Sequence, residues 1–211
     1  MLEVLITVIS AVFTLLVILD PLLSVSMFIN LTHDLEKAEM RRQAFVATGV
    51  AGALMILFLI FNNLLFDLLG IELASFKVAG GIILFILGLQ IVLGLDIGGS
   101  SAGHTNLASP GMAKKKSMAG VIIGTPIMCG PGTITTVMIL GAQDGILLTL
   151  CAVILALVCI WLTLIFSTYI KKILGDTVIV LLSKIVGLLL TAIAVHTIWT
   201  GILGLIALSV I

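Results

Sequence analysis

A succession of apolar runs, each about twenty residues long, with charges gathered between them, constrains this chain more than any other feature. A run of that length spans the hydrocarbon of a bilayer as a helix, because a helix satisfies its own backbone where water is absent. Six such runs lie at about residues 4–31, 44–69, 74–95, 118–140, 146–170 and 177–206. Across 211 residues only 9% are charged and 61% are hydrophobic, and the mean hydropathy is +1.40. A soluble domain carries roughly 25% charged residues, so the reading is an all-α membrane protein, a single polytopic domain over 1–211. The formal net charge is zero, which points away from nucleic acid as a partner. The first run lacks the basic leader and small-residue cleavage site of a signal peptide.

Charge placement predicts orientation. Lys37, Arg41, Arg42, Lys114, Lys115, Lys116, Lys171 and Lys172 all follow runs one, three and five, while the opposite side holds only Lys77 at the edge of a run. The positive-inside bias puts loops 32–43, 96–117 and 171–176 in the cytoplasm and both termini outside, in the plasma membrane. The stretch 96–117 is rich in Gly and Ser and carries Pro110, so it reads as a linker between halves 1–95 and 118–211.

The halves echo one another. An offset of 107 aligns Lys77 with Lys184, Gly80 with Gly187 and Gly94 with Gly201. An offset of 110 aligns Asp20-Pro21 with Gly130-Pro131, and Ser26 with Thr136. Three spans per unit force the second copy to enter the membrane from the other side. The expected architecture is therefore a 3+3 inverted-topology repeat, against the plainer alternative of a bundle without symmetry.

Two of the spans are broken. Pro21 removes an N–H and crowds the preceding turn, so run one kinks or stops near the midplane. Asp20 beside it is a carboxylate in apolar sequence, costing about 2.5–3.5 kcal/mol on insertion scales. Run four carries Thr125-Pro126 and then Gly130-Pro131-Gly132, which no regular helix accommodates. Exposed backbone at that depth must face protein or a wet cavity. Paired breaks in corresponding segments point to a transporter binding site, with half-helix N-termini offering free N–H groups to a carboxylate. The expected substrate site is Asp20, Pro21, Ser24, Gly130, Pro131, Gly132 and Thr133, the small residues leaving room for a small ligand. Candidate cation-coupling groups are Asp20, Ser26, Asn30 and Thr125, Asp20 being equally able to take a substrate ammonium. Proline as a mere kink is the bland competitor.

Other polar residues carry less. His196, Gln90, Asn62, Asn63 and Thr191 read as interhelical hydrogen-bonding groups, and Lys77 and Lys184 as snorkelling cations. No Ser/His/Asp set, HExxH or phosphate loop is present, so no enzyme, metal or cofactor is expected. Cys129 beside the second break raises a thiol–disulfide electron carrier, but its aligned partner is Leu19 and the carrier would need a second thiol there. A passive channel or exporter of small polar metabolites fits a midplane polar cavity as well as a transporter does.

At these same residues the sequence resembles the MarC family of integral membrane proteins. The similar stretches are Asp20-Pro21-Leu22 with Ser24 and Phe28, then Ala38-Glu39-Met40-Arg41-Arg42, then Phe76-Lys77-Val78-Ala79-Gly80-Gly81, and Gly130-Pro131-Gly132-Thr133-Ile134. They follow one another in order over nearly the whole chain. The family takes its name from multiple antibiotic resistance, which does not imply drug export. An archaeal branch is known as small neutral amino acid transporters, and this chain resembles it in carrying Asp-Pro at the first break, where enterobacterial members tend to carry Asn-Pro. The resemblance implies cation-coupled movement of glycine and alanine, driven by protons or sodium. A lipid bilayer and, as a candidate, a second copy of the chain are the expected macromolecular surroundings.

Overall fold

The computed structural model describes residues 2–32, 35–94 and 128–209. Among the described residues every regular element is helical: α1 (Leu2–Leu19), α2 (Pro21–Thr32), α3 (Lys37–Ile60), α4 (Asn62–Leu69), α5 (Leu73–Leu93), α6 (Pro131–Asp144), α7 (Ile146–Ile165) and α8 (Ser167–Ser209). Five stretches are long and apolar enough to cross a membrane: Glu3–Ile29, Lys37–Ile60, Leu73–Leu93, Ile146–Ile165 and Thr177–Leu208. These match five of the six expected spans. The remaining one, at about 118–140, is described only from residue 128, and its helix α6 has 14 residues. The linker 96–117 and Thr125 fall outside the described residues.

The molecule is apolar on the outside as well as within. Leu68, Leu147, Phe45, Tyr169 and Ile173 are all exposed, the pattern of a surface meant for lipid. Inside, α3 presents Ala44, Ala47, Ala51, Met55 and Leu59 at helical spacing, and α7 presents Ala152, Ala156, Ile160 and Leu164. Small residues let backbones approach closely, which drives helix association where lipid tails remove the hydrophobic difference. A Cβ added to Gly52 of α3 would come within 2.7 Å of Leu157 of α7. Leu15 and Leu19 of α1 and Phe28 of α2 complete this buried cluster.

Four boundaries differ from the expectation. The polar stretch ending at Gln43 is not loop: α3 begins at Lys37, where Glu39 accepts from Gln43 Nε2 at 2.9 Å and pairs with Arg42 at 3.5 Å one turn on. Likewise Lys171 and Lys172 are helical, in the first turns of α8. Span two, expected as one run to residue 69, breaks at Phe61 (φ −83°, ψ 5°), and span five ends at Phe166 (φ −88°, ψ 7°) in the same conformation. Eight helical residues follow each break and run to a glycine of positive φ, Gly70 (φ 60°) and Gly175 (φ 72°). Gly175 has ψ 164°, a region that only glycine adopts cheaply. Phe66 of α4 packs edge-on against Phe76 of α5, centroids 5.1 Å apart, which closes the turn between them.

Helices α5 and α8 run antiparallel over most of their length. Gly201 lies against Ala74, Gly81 against Ala194 and Gly88 against Gly187. At the last crossing a Cβ on Gly88 would sit 2.9 Å from the Gly187 carbonyl oxygen and 2.9 Å from the Thr191 nitrogen. Both obstacles are backbone and cannot swing away. Gly88→Val should therefore cost about 1–3 kcal/mol as an overpacking change and lower the thermal midpoint in detergent. Gly49→Ala, whose Cβ meets nothing within 4 Å, should leave it unchanged or raise it.

Candidate functional site

Each broken span is built in the same way. The chain leaves α1 at Asp20, whose φ of +37° turns the backbone out of the helix, a conformation Asp tolerates better than most residues. Pro21 then occupies the first position of α2, where its missing N–H costs nothing. In the second half Gly130 (φ −77°, ψ 176°) precedes Pro131, the first residue of α6. The backbone turns close alike, Ser24 N–H to Asp20 O at 2.9 Å and Ile134 N–H to Gly130 O at 3.1 Å.

A break strands backbone carbonyls, and a hydroxyl from the next helix retrieves one on each side. Ser24 Oγ donates to Leu19 O at 3.0 Å, and Thr133 Oγ1 donates to Met128 O at 2.9 Å. Thr135 and Thr136 donate to Pro131 O and Gly132 O inside α6. Ser24 and Thr133 are buried, so these bonds hold each break shut in a medium without water to replace them.

The helix starts differ in charge. Asp20 Oδ1 accepts from Leu22 N–H at 3.2 Å and from Leu23 N–H at 3.1 Å, capping α2. Its other oxygen, Oδ2, is buried and has no partner among the described residues, in a side chain only 3% exposed. Asn62 Oδ1, Thr149 Oγ1, Trp161 Nε1, Ser167 Oγ and Ser183 Oγ are also buried without partners, but Asp20 is the ionisable one. Among the described residues no side chain caps α6. Its first turn presents N–H groups and a positive dipole end. One break thus offers a spare carboxylate oxygen and the other an open helix N-terminus. Leu19 and Phe28 around the first belong to the same buried cluster as Met128 and Cys129 around the second.

Among the expected site residues, Asp20, Ser24, Gly132 and Thr133 are buried, Pro21 and Gly130 are half-buried and Pro131 is exposed. Gly132 is used for packing: a Cβ there would come within 2.8 Å of Leu84 and 3.0 Å of Leu87 on α5. Ser26 is half-buried one turn before Asn30 in α2. Thr125 lies outside the described residues. Among the described residues no group of three His, Cys, Asp or Glu could hold a metal. Cys129 is buried, while Cys151 and Cys159 are exposed on α7. A surface depression of about 500 Å³ lies elsewhere, at the α6–α7 turn around Gly141, Asp144 and Gly145.

Two polar positions escaped the sequence reading of the site, Asn62 and Ser167, each fully buried and each following a Phe break. The signal was present as an offset of 105, which aligns Phe61-Asn62 with Phe166-Ser167 and Gly70 with Gly175.

Since Asn caps a helix about as well as Asp, Asp20→Asn should fold with little loss. Asp20→Leu should lose the cap, about 0.5–2 kcal/mol, as a lower thermal midpoint in detergent.

Known proteins resemble the chain over nearly its full length. A UPF0056 membrane protein of Aquifex aeolicus is 33% identical over 202 residues, 94% of this chain and 93% of that protein. One from Methanocaldococcus jannaschii is 32% identical, covering 89% and 91% of the two chains, and YvbG of Bacillus subtilis is 30% identical, covering 88% and 89%. No solved structure matches it. The model of the MarC family of integral membrane proteins matches residues 5–206, and the chain belongs to that family.

Proposed function

We propose that this protein is a secondary active transporter of small neutral amino acids, glycine and alanine first, working by alternating access about the two breaks. The observation that carries the reading is the complementarity of those breaks. A zwitterion needs hydrogen-bond donors for its carboxylate and an acceptor for its ammonium, a few ångströms apart. The uncapped start of α6, with Gly132 and Thr133, suits the carboxylate. The unpartnered Asp20 Oδ2 suits the ammonium, or the proton or sodium ion that drives the cycle. Ser26, half-buried on α2 two residues beyond Ser24, is a further candidate for coupling the ion.

The proposed frame is six spans as a 3+3 inverted repeat, in the plasma membrane with both termini outside. Several correspondences support it. Breaks at Asp20-Pro21 and Gly130-Pro131 carry matching hydroxyl stitches, and breaks at Phe61 and Phe166 share one conformation. Contacts trade places as a twofold in the membrane plane requires, α2 packing on α8 and α6 packing on α5. Gly52 meets Leu157, its own counterpart at offset 105, as residues on such an axis do.

A channel is the second reading, favoured only by the polar character of the breaks. The two part on saturation and coupling. Liposomes containing the purified protein should take up radiolabelled glycine saturably, and only under a proton or sodium gradient. Asp20→Asn should abolish concentrative uptake while the protein stays folded. Uptake that follows glycine linearly without any gradient, or that survives Asp20→Asn unchanged, would refute the transporter reading.

A further inference from the structure

The Phe breaks differ in one hydrogen bond. At the first, Asn62 Nδ2 donates across the bundle to Met138 O of α6 at 2.8 Å. A Cβ on Gly141 would come within 3.0 Å of that nitrogen, so the glycine keeps the approach open. At the second, Ser167 occupies the corresponding place, fully buried, and its Oγ has no hydrogen-bond partner among the described residues. The offset of 110 that pairs Pro21 with Pro131 pairs Met138 with Phe28 of α2. Phe28 O is taken instead by Thr32 Oγ1 of its own helix at 2.6 Å. The counterpart of Thr32 in α6 is Ala142, which has no hydroxyl, so Met138 O depends on Asn62 for its side-chain bond.

We infer that Asn62 and Ser167 are alternating latches on the two half-helices: Asn62 holds Met138 O of α6 in the state seen here, and Ser167 Oγ takes Phe28 O of α2 when the halves exchange conformations. This rests on the transporter reading, since an inverted repeat reaches its second state by each half adopting the conformation of the other. Both residues are positioning residues, acting through the helices that carry the breaks. A buried hydroxyl without a partner is costly in one state, and it is retained because the other state uses it. Thr32 gives Phe28 O an acceptable partner meanwhile, so the exchange trades one hydrogen bond for another.

The opposing signs of the two latches make the test. Spin labels at Leu68 and Leu147, both exposed and both on the Asn62–Met138 side, report the opening of α4 from the α6–α7 turn by pulsed EPR in nanodiscs. Cys151 and Cys159 are replaced by Ser, and Cys129 is buried. Asn62→Ala should raise the long-distance population about two- to tenfold, the range one buried hydrogen bond commands. Ser167→Ala should lower it by a similar factor, because it weakens only the other state. Asn62→Ser keeps a hydroxyl donor and should fall between wild type and Asn62→Ala, which preserves the test if the alanine variant does not fold. Shifts in the same direction, or no shift in either variant, would overturn the latches. Gradient-driven glycine uptake by the same variants separates that failure from failure of the transporter reading.

Discussion

Everything in this molecule follows from the rule that a backbone polar group in lipid must find its partner within the protein. Continuous helices obey it automatically; among the described residues the breaks at Asp20, Gly130, Phe61 and Phe166 do not. Each interrupts the helical ladder and leaves carbonyls or N–H groups to be satisfied from elsewhere in the protein. The chain answers with side chains from the neighbouring turn, Ser24 and Thr133 reaching back to Leu19 O and Met128 O. At the Phe breaks the turn closes on itself, Phe61 N–H to Leu57 O and Phe166 N–H to Leu162 O, both at 3.0 Å. Of what these repairs leave over, the Asp20 carboxylate oxygen and the start of α6 make up the proposed site.

The same economy explains where the small residues sit. The breaks have to be enclosed by protein, so their neighbours must approach closely. Gly132 admits Leu84 and Leu87 of α5, and Gly80 admits Thr135 of α6. The alanines of α3 and α7 bring those helices together behind Leu19 and Phe28. A glycine beside a binding site is easily taken as space for the ligand. Here Gly132 serves helix contact.

Much of this was legible in the sequence, and the legible parts share a cause. Proline and glycine announce Asp20-Pro21 and Gly130-Pro131-Gly132 because no regular helix accommodates them, and run length announces the spans because bilayer thickness is fixed. Phe61 and Phe166 carry no such mark. Phenylalanine is at ease in a helix, and each break is a turn whose conformation departs only modestly from helical, so only the offset of 105 that aligns Phe61-Asn62 with Phe166-Ser167 marks it in the sequence. The helical start at Lys37 was hidden by charge: Glu39, Arg42 and Gln43 read as loop until their spacing of three and four along a helix is considered. The division of labour at the site was hidden too, since a carboxylate before a proline announces a cap and a functional group equally. That one oxygen caps α2 while the other stays free is a matter of geometry.

The central claim is that the two breaks together hold a zwitterion. Solid-state NMR of the protein in lipid with carboxyl-labelled glycine measures it directly, through dipolar coupling between the glycine carboxyl carbon and the amide nitrogens of Gly132 and Thr133. The account predicts strong coupling to one or both, as N–H···O contacts of about 2.7–3.2 Å require, and its persistence when the glycine nitrogen is shown to contact Asp20. Bound glycine with no coupling to either amide would contradict it.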